Sequence, residues 1–165
     1  QHGESFYEPM LNGIVDEAVA KGAAKVEEGG AVAAYFDEKL PSCLLRKTDG
    51  ATLYQTRDVA TILYRRKEYA PTRNIYVVGA EQRLHFQQVF EIARRMGYTE
   101  IADASVHIPF GTVWAIKRDE NGNIILDEHG KPRRYKFSMR DGNVVFLNDV
   151  LDEAIERSAA KVRAQ

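Results

Sequence analysis

The sequence predicts an α/β protein with a partly parallel sheet, and three observations predict it. Ile75, Tyr76, Val77 and Val78 form an unbroken apolar, β-branched run that ends at Gly79, and from Gln82 the apolar residues recur at helical spacing. The order along the chain is a helix, a β-rich patch, then strands alternating with helices. A chain of 165 residues, 44% hydrophobic and 28% charged, is enough for about one domain with a real core.

Each element has its own signal. Ser5 followed by Glu8 is a capping-box pattern, and Leu11, Ile14, Val15 and Ala18 then keep helical spacing up to Gly22. Between Ala23 and Tyr54 the runs AKVEE, AVAAYF, CLLRK and ATLY read as short strands. Asp49-Gly50 between the last two predicts a hairpin whose turn residues both take positive φ. Thr56 is placed to cap a helix bearing Val59, Ile62 and Leu63 that ends before Pro71. The run at 75–78 suits a strand covered on both faces. Phe86, Val89, Phe90, Ala93 and Met96 mark the next helix, and Gly97 its stop. ASVHIPFGTVWAI predicts one or two strands interrupted at Pro109 and Gly111. Lys117 to Tyr135, with Asn121-Gly122 and Gly130 on either side of Ile124, Ile125 and Leu126, reads as an exposed hairpin. After the loop KFSMRDGN and the apolar run VVFL, Asn148 or Asp149 caps a last helix that buries Leu151, Ala154, Ile155 and Val162. No internal repeat, low-complexity tract or domain linker is expected.

Composition narrows the function. A formal charge of -1 and a pI near 6.5 give no bulk attraction to nucleic acid, so any such contact needs a local patch. Cys43 is the only cysteine and the four histidines show no H-E-x-x-H spacing, which predicts no internal disulfide and no protein-bound metal. No apolar run approaches the roughly 18 residues of a membrane span and no signal peptide opens the chain, so a cytoplasmic protein with no membrane partner is expected. The chain opens at Gln1 rather than at a methionine, as an excised fragment or processed product would.

The strand-to-helix junction at Gly79 is where ligands sit in open α/β sheets, and it carries Glu81, Gln82 and His85. Gln82 and His85 are three apart and share a helix edge. Tyr54 and Asp58 straddle another junction into a helix. Asp58 reads either as a first-turn carboxylate favoured by the helix dipole or, facing Gln82 beside Tyr54, as part of an acceptor pocket for a multi-donor cation such as a guanidinium. His85 serves packing or capping, or it serves the site; His107, in an apolar strand, reads as a satisfied buried histidine. Lys136, Ser138 and Arg140 offer two cations and a hydroxyl in a glycine-bearing loop. That loop either clamps phosphates or is a solvated basic loop continuing from Arg133 and Arg134. The G-x-x-x-x-G-K-[ST] and G-x-G-x-x-G phosphate loops are absent.

Read together, ESFY, DGATLYQTRD, VVGAEQRLHFQQ, VHIPFG and KFSMRDGN resemble, in order and over nearly the whole chain, the class I arginyl-tRNA synthetases. DGATLYQTRD is similar to the family's DGTxLYxTRD, and KFSMRDGN to its KMSK-type loop in the KMSTRxGN form. The resemblance implies the second half of a Rossmann-like nucleotide-binding fold with a β-rich insertion before it. Residues 1–48 would hold the first helix and inserted segment, and 49–165 the second half, with the loop at 136–143. It implies that Tyr54, Asp58 and Gln82 recognise arginine, that His85 lines the ATP side, and that Lys136 and Ser138, supported by Arg140, stabilise the phosphates of ATP, which arrives with Mg²⁺. Arginine, ATP and an arginine-accepting tRNA are the implied partners. Phe137 stands for the usual methionine and Met139 for threonine or lysine, so the loop offers one lysine fewer. The HxGH motif of class I is not matched anywhere in the chain. The expectation is therefore a fragment, inactive alone and with uncovered apolar sheet surface that favours self-association. The alternative is a stand-alone, non-catalytic paralogue that binds arginine, nucleotide or tRNA.

Overall fold

The computed structural model describes residues 2–37, 40–112, 114–136 and 146–164. The chain forms two compact units, 1–111 and 112–165.

In the first unit a 3₁₀ turn, Glu4–Tyr7, leads into α1, Glu8–Ala20, with Pro9 in its first turn, where a missing N–H costs nothing. The expected capping box does not form. Tyr7 is the N-cap and makes no side-chain cap bond, while Glu8 accepts from Arg57 at 2.5 Å. Three short strands follow, β1 (Lys25–Val26), β2 (Val32–Ala34) and β3 (Cys43–Arg46), in an antiparallel sheet ordered β1-β2-β3. ATLY is not a fourth strand: it meets β3 through one bridge, Arg46 to Thr52. At Asp49-Gly50 only Gly50 takes a positive φ, +85°. Lys47 accepts from the Gly50 N–H and donates to the Ala51 carbonyl, a type I turn closed by a left-handed glycine rather than the two-residue form. Glu27 to Ala31, Asp119 to Asn123 and Asp127 to Lys131 make the same pair of bonds around Gly30, Gly122 and Gly130.

Helix α2, Tyr54–Tyr69, begins at Leu53, so Thr56 lies inside it and not at its cap. Thr56 is fully buried and donates its hydroxyl to the Leu45 carbonyl at 2.6 Å, tying α2 to β3. The helix ends at Ala70, the one non-glycine residue of positive φ among those described, directly before Pro71. Strand β4, Asn74–Gly79, is followed by a 3₁₀ turn, Ala80–Gln82, and α3, Arg83–Arg95, whose Phe86, Val89 and Ala93 are buried as their spacing predicts, together with Ile92. A short helix that the sequence reading passed over, α4 (Thr99–Ala104), leads into β5, Ser105–Phe110, parallel to β4 from Asn74↔Ser105 to Gly79↔Phe110. Pro109 sits inside β5 rather than interrupting it, because β4 is the strand's one neighbour among the described residues and the other edge needs no N–H.

The strand at 75–78 is not covered on both faces. Tyr76 is buried against α3, while Ile75, Val77, Ile108 and Phe110 are exposed on the other side of the two-stranded sheet. The core joins α1, β2, β3, α2, α3 and α4 through Val15, Val32, Leu45, Val59, Ile62, Val89, Ile92, Met96 and Ile101, each almost fully buried.

In the second unit β6 (Trp114–Ile116) pairs antiparallel with β7 (Arg134–Lys136). The segment between them is more than a hairpin. Lys117 donates to the Arg133 carbonyl, Arg133 to Ile125 and Ile125 to Lys117, a closed ring of three backbone hydrogen bonds. Beneath it lies an eight-residue repeat that the sequence reading missed, DENGN at 119 and DEHGK at 127. Helix α5, Leu147–Arg163, starts from Phe146 with no side-chain cap, so neither Asn148 nor Asp149 plays that part. Its Leu151, Ala154, Ile155 and Val162, expected to be buried, are exposed, and none of its described residues is buried.

Candidate functional site

Three of the sequence-predicted residues meet in one cavity of about 320 Å³, at the carboxyl end of β4 and the amino end of α3. From α2 come Tyr54, Asp58, Thr61 and Arg65, spaced four, three and four apart and so on one helical stripe. Asp58 is in the second turn of α2, beyond the reach of the helix-dipole reading. Gln82 enters from the turn between β4 and α3, and Tyr76, Val78 and Phe86 supply the apolar floor. His2, Glu4 and Tyr7 line it from the amino-terminal segment.

The Thr56 tether sets the depth of α2 against β3, and with it where Tyr54 and Asp58 emerge. Tyr54 and Gln82 are exposed, Asp58 half-buried. Burial pushes the Tyr76 phenol up to about 12, with the Asp58 carboxylate adding to the rise against Asn74 and Arg65, so this ring stays neutral. Asn74 links the floor together: it accepts from Arg65 at 2.8 Å and donates to Tyr76 at 3.2 Å and Ser105 at 3.0 Å.

His85 is in the first turn of α3 but does not line the cavity. Its Nε2 lies 2.6 Å from Asp58 Oδ2, so the residue assigned by resemblance to a second ligand is bonded to the carboxylate assigned to the first. His107 donates from Nε2 to the Val78 carbonyl, 2.9 Å away, and is satisfied as expected, though half-buried rather than buried.

Arg57 and Arg65 also border the cavity, and the sequence reading missed both. The signal was present: Arg65 continues the stripe of Tyr54 and Asp58. Arg57 Nη2 is paired with Glu8, while its Nε is buried with no partner among the described residues.

Lys136 ends β7 in the other unit, exposed, with Nζ 5.2 Å from the centre of the Trp114 ring. Ser138 and Arg140, with the rest of the signature loop after Lys136, lie outside the described residues. A larger hollow of about 810 Å³ runs along α3 beside Phe36, Leu40 and Phe90. Its cations, Arg94 and Arg95, are bonded to Glu91, Asp103 and Asp37, so the smaller cavity is the better candidate for a charged ligand. Among the described residues no helix is long and apolar enough to cross a membrane.

The sequence profile of the tRNA synthetases class I (R), catalytic domain, matches residues 1–165. The chain is 43% identical over 164 residues to an arginine–tRNA ligase of Chloroflexus aggregans, covering 99% of this chain and 25% of that protein. It is 41% identical over 161 residues to the corresponding ligase of Exiguobacterium, covering 98% and 26%. Among solved structures, the arginyl-tRNA synthetase of Plasmodium falciparum aligns with a TM-score of 0.60 and 26% identity over 67% of this chain and 20% of that one. The Thermus thermophilus arginyl-tRNA synthetase shares the fold, with a TM-score of 0.54 at 17% identity over 93% of this chain and 29% of that one. The chain thus spans about a quarter of the length of the curated relatives it matches.

Proposed function

The chain belongs to the class I (R) tRNA synthetase catalytic-domain family, and from that premise we propose that it supplies the guanidinium-binding part of an arginine-activating site. The observation that carries the proposal is the meeting of Tyr54 and Asp58 from α2 with Gln82 from the turn after β4, around one cavity at the carboxyl end of β4. A guanidinium has five donors in a rigid fork and no acceptor. A carboxylate, a phenol oxygen and an amide oxygen are three acceptors that can answer it, and the carboxylate can offer the bidentate, charge-assisted bond that is the strongest of its kind.

The whole enzyme would join arginine to tRNA in two steps. The arginine carboxylate attacks the α-phosphorus of ATP, giving arginyl-adenylate and pyrophosphate, and the terminal adenosine hydroxyl of tRNA then displaces AMP. In this reading Lys136, Ser138 and Arg140 hold the phosphates of the Mg²⁺-bound ATP as negative charge develops on the leaving pyrophosphate. The protein's contribution would be placement and charge stabilisation, with no covalent enzyme intermediate. The 165 residues contain no HxGH motif, and ATP–pyrophosphate exchange is not expected of them alone.

Calorimetric titration of the chain with L-arginine tests the reading. Binding is expected, with a loss of about tenfold or more in Asp58→Ala, the worth of a hydrogen bond to a charged group. No heat of binding, or equal affinity in wild type and Asp58→Ala, would overturn it.

A further inference from the structure

The Asp58–His85 contact joins two residues 27 apart in sequence, across the packed pair α2 and α3. Both side chains are largely shielded, at 32% and 15% exposure, and the 2.6 Å separation is within hydrogen-bonding distance. Among the described residues His85 is the only hydrogen-bond partner of the Asp58 carboxylate. The carboxylate borders the cavity and the imidazole does not, so His85 holds one oxygen, Oδ2, from outside the space a ligand would fill. The ring is itself fixed edge-on to Phe86, with centroids 5.1 Å apart and an interplanar angle of 79°. Phe86 is buried in the core.

We infer that His85 is a positioning residue: by donating from Nε2 to Oδ2 it fixes the plane of the Asp58 carboxylate before a guanidinium arrives. This rests on the reading of Asp58 as the guanidinium acceptor. A carboxylate free to rotate presents its two oxygens to a planar fork in few of its orientations, and each orientation excluded beforehand is entropy that binding no longer loses. One oxygen has about two lone-pair sites, so Oδ2 can keep the imidazole bond and still accept from the ligand. The other charged and phenolic groups around the cavity do not bond this carboxylate. Arg57 is paired with Glu8, Arg65 with Asn74, and the Tyr76 hydroxyl accepts from Asn74.

The test titrates the 165-residue chain with L-arginine in four forms: wild type, His85→Gln, His85→Leu and Asp58→Ala, each with its thermal unfolding midpoint. Glutamine places an amide N–H close to where the ring carries Nε2–H; leucine places none. His85→Leu is expected to weaken arginine about tenfold while His85→Gln stays within about threefold of wild type. A merely structural histidine predicts affinity that tracks the unfolding midpoint rather than the presence of a donor. If both His85 variants bind like wild type while Asp58→Ala does not, the positioning role is overturned and the guanidinium reading stands. Equal losses in the glutamine and leucine variants also overturn it, since the donor would then not be what matters. If wild type binds no better than Asp58→Ala, the guanidinium reading fails and the positioning role fails with it.

Discussion

Thr56→Val removes the hydroxyl that ties the site helix to the sheet and leaves shape and volume nearly unchanged. Thr56 is fully buried, and its bond to the Leu45 carbonyl is 2.6 Å long. The same carbonyl also accepts from the Leu53 N–H at 3.2 Å, so it is not orphaned by the change and the penalty for an unsatisfied buried acceptor does not apply. What remains is the net worth of one neutral hydrogen bond, about 1 kcal/mol. Thr61 is the internal control: its hydroxyl bonds back to Arg57 within α2 at 2.9 Å, half-buried, and Thr61→Val should cost less than about 0.5 kcal/mol. Amide hydrogen exchange at Val59 and Ile62 reads the opening of α2 directly and is not confused by the second unit. The expected result is faster exchange at these amides in Thr56→Val, by about fivefold, and little change in Thr61→Val. Equal effects of the two substitutions, or none from Thr56→Val, would refute the claim that this hydroxyl anchors the helix.

Other predictions follow from single contacts. Glu17 is pushed up by burial but held below its ordinary 4.5 overall by hydrogen bonds from Lys21 and Tyr98; for Glu91 the bonds from Arg95 and Arg94 likewise outweigh burial. A carboxyl lowered by folding contributes stability that is complete above its unfolded value and lost as pH falls through the folded one. The stability of the chain against urea should therefore fall below about pH 4.5, and less steeply in Glu17→Gln with Glu91→Gln. Burial pushes the Cys43 thiol up to about 11, so alkylation at pH 8 should be slow in the folded chain and fast in denaturant. Gly97→Ala should lower stability by about 1 kcal/mol, because Gly97 closes α3 at φ +85°. Gly79→Ala should cost under about 0.5 kcal/mol, since the atoms nearest the new Cβ are the movable carboxylate end of Glu81.

Local periodicity made much of the fold legible. The spacing of Phe86, Val89, Ala93 and Met96 located α3 and its buried face, and Gly97 its end, because both signals lie within one helix. What failed depended on partners distant in sequence. Glu8 looked like half of a capping box, yet its carboxylate goes to Arg57, 49 residues on. Thr56 looked like a cap, yet its hydroxyl goes to β3. The run Ile75 to Val78 has the composition of a doubly covered strand, but nothing among the described residues lies over Ile75 and Val77. The six residues of α4 are too few to show a helical period. In the site, the stripe of Tyr54 and Asp58 and the junction at Gln82 were legible as chemistry at helix and strand ends. The bond from His85 to Asp58 was not, since only the packing of α2 on α3 brings the two together.

The central claim is that this cavity takes the arginine side chain, and backbone and side-chain NMR of the labelled chain, titrated with L-arginine, tests it most directly. The account predicts saturating shifts confined to Tyr54, Asp58, Gln82 and their neighbours in the cavity, and absent in Asp58→Ala. Saturating shifts centred elsewhere, for example at Phe36, Phe90 and Arg95 in the hollow beside α3, would contradict it.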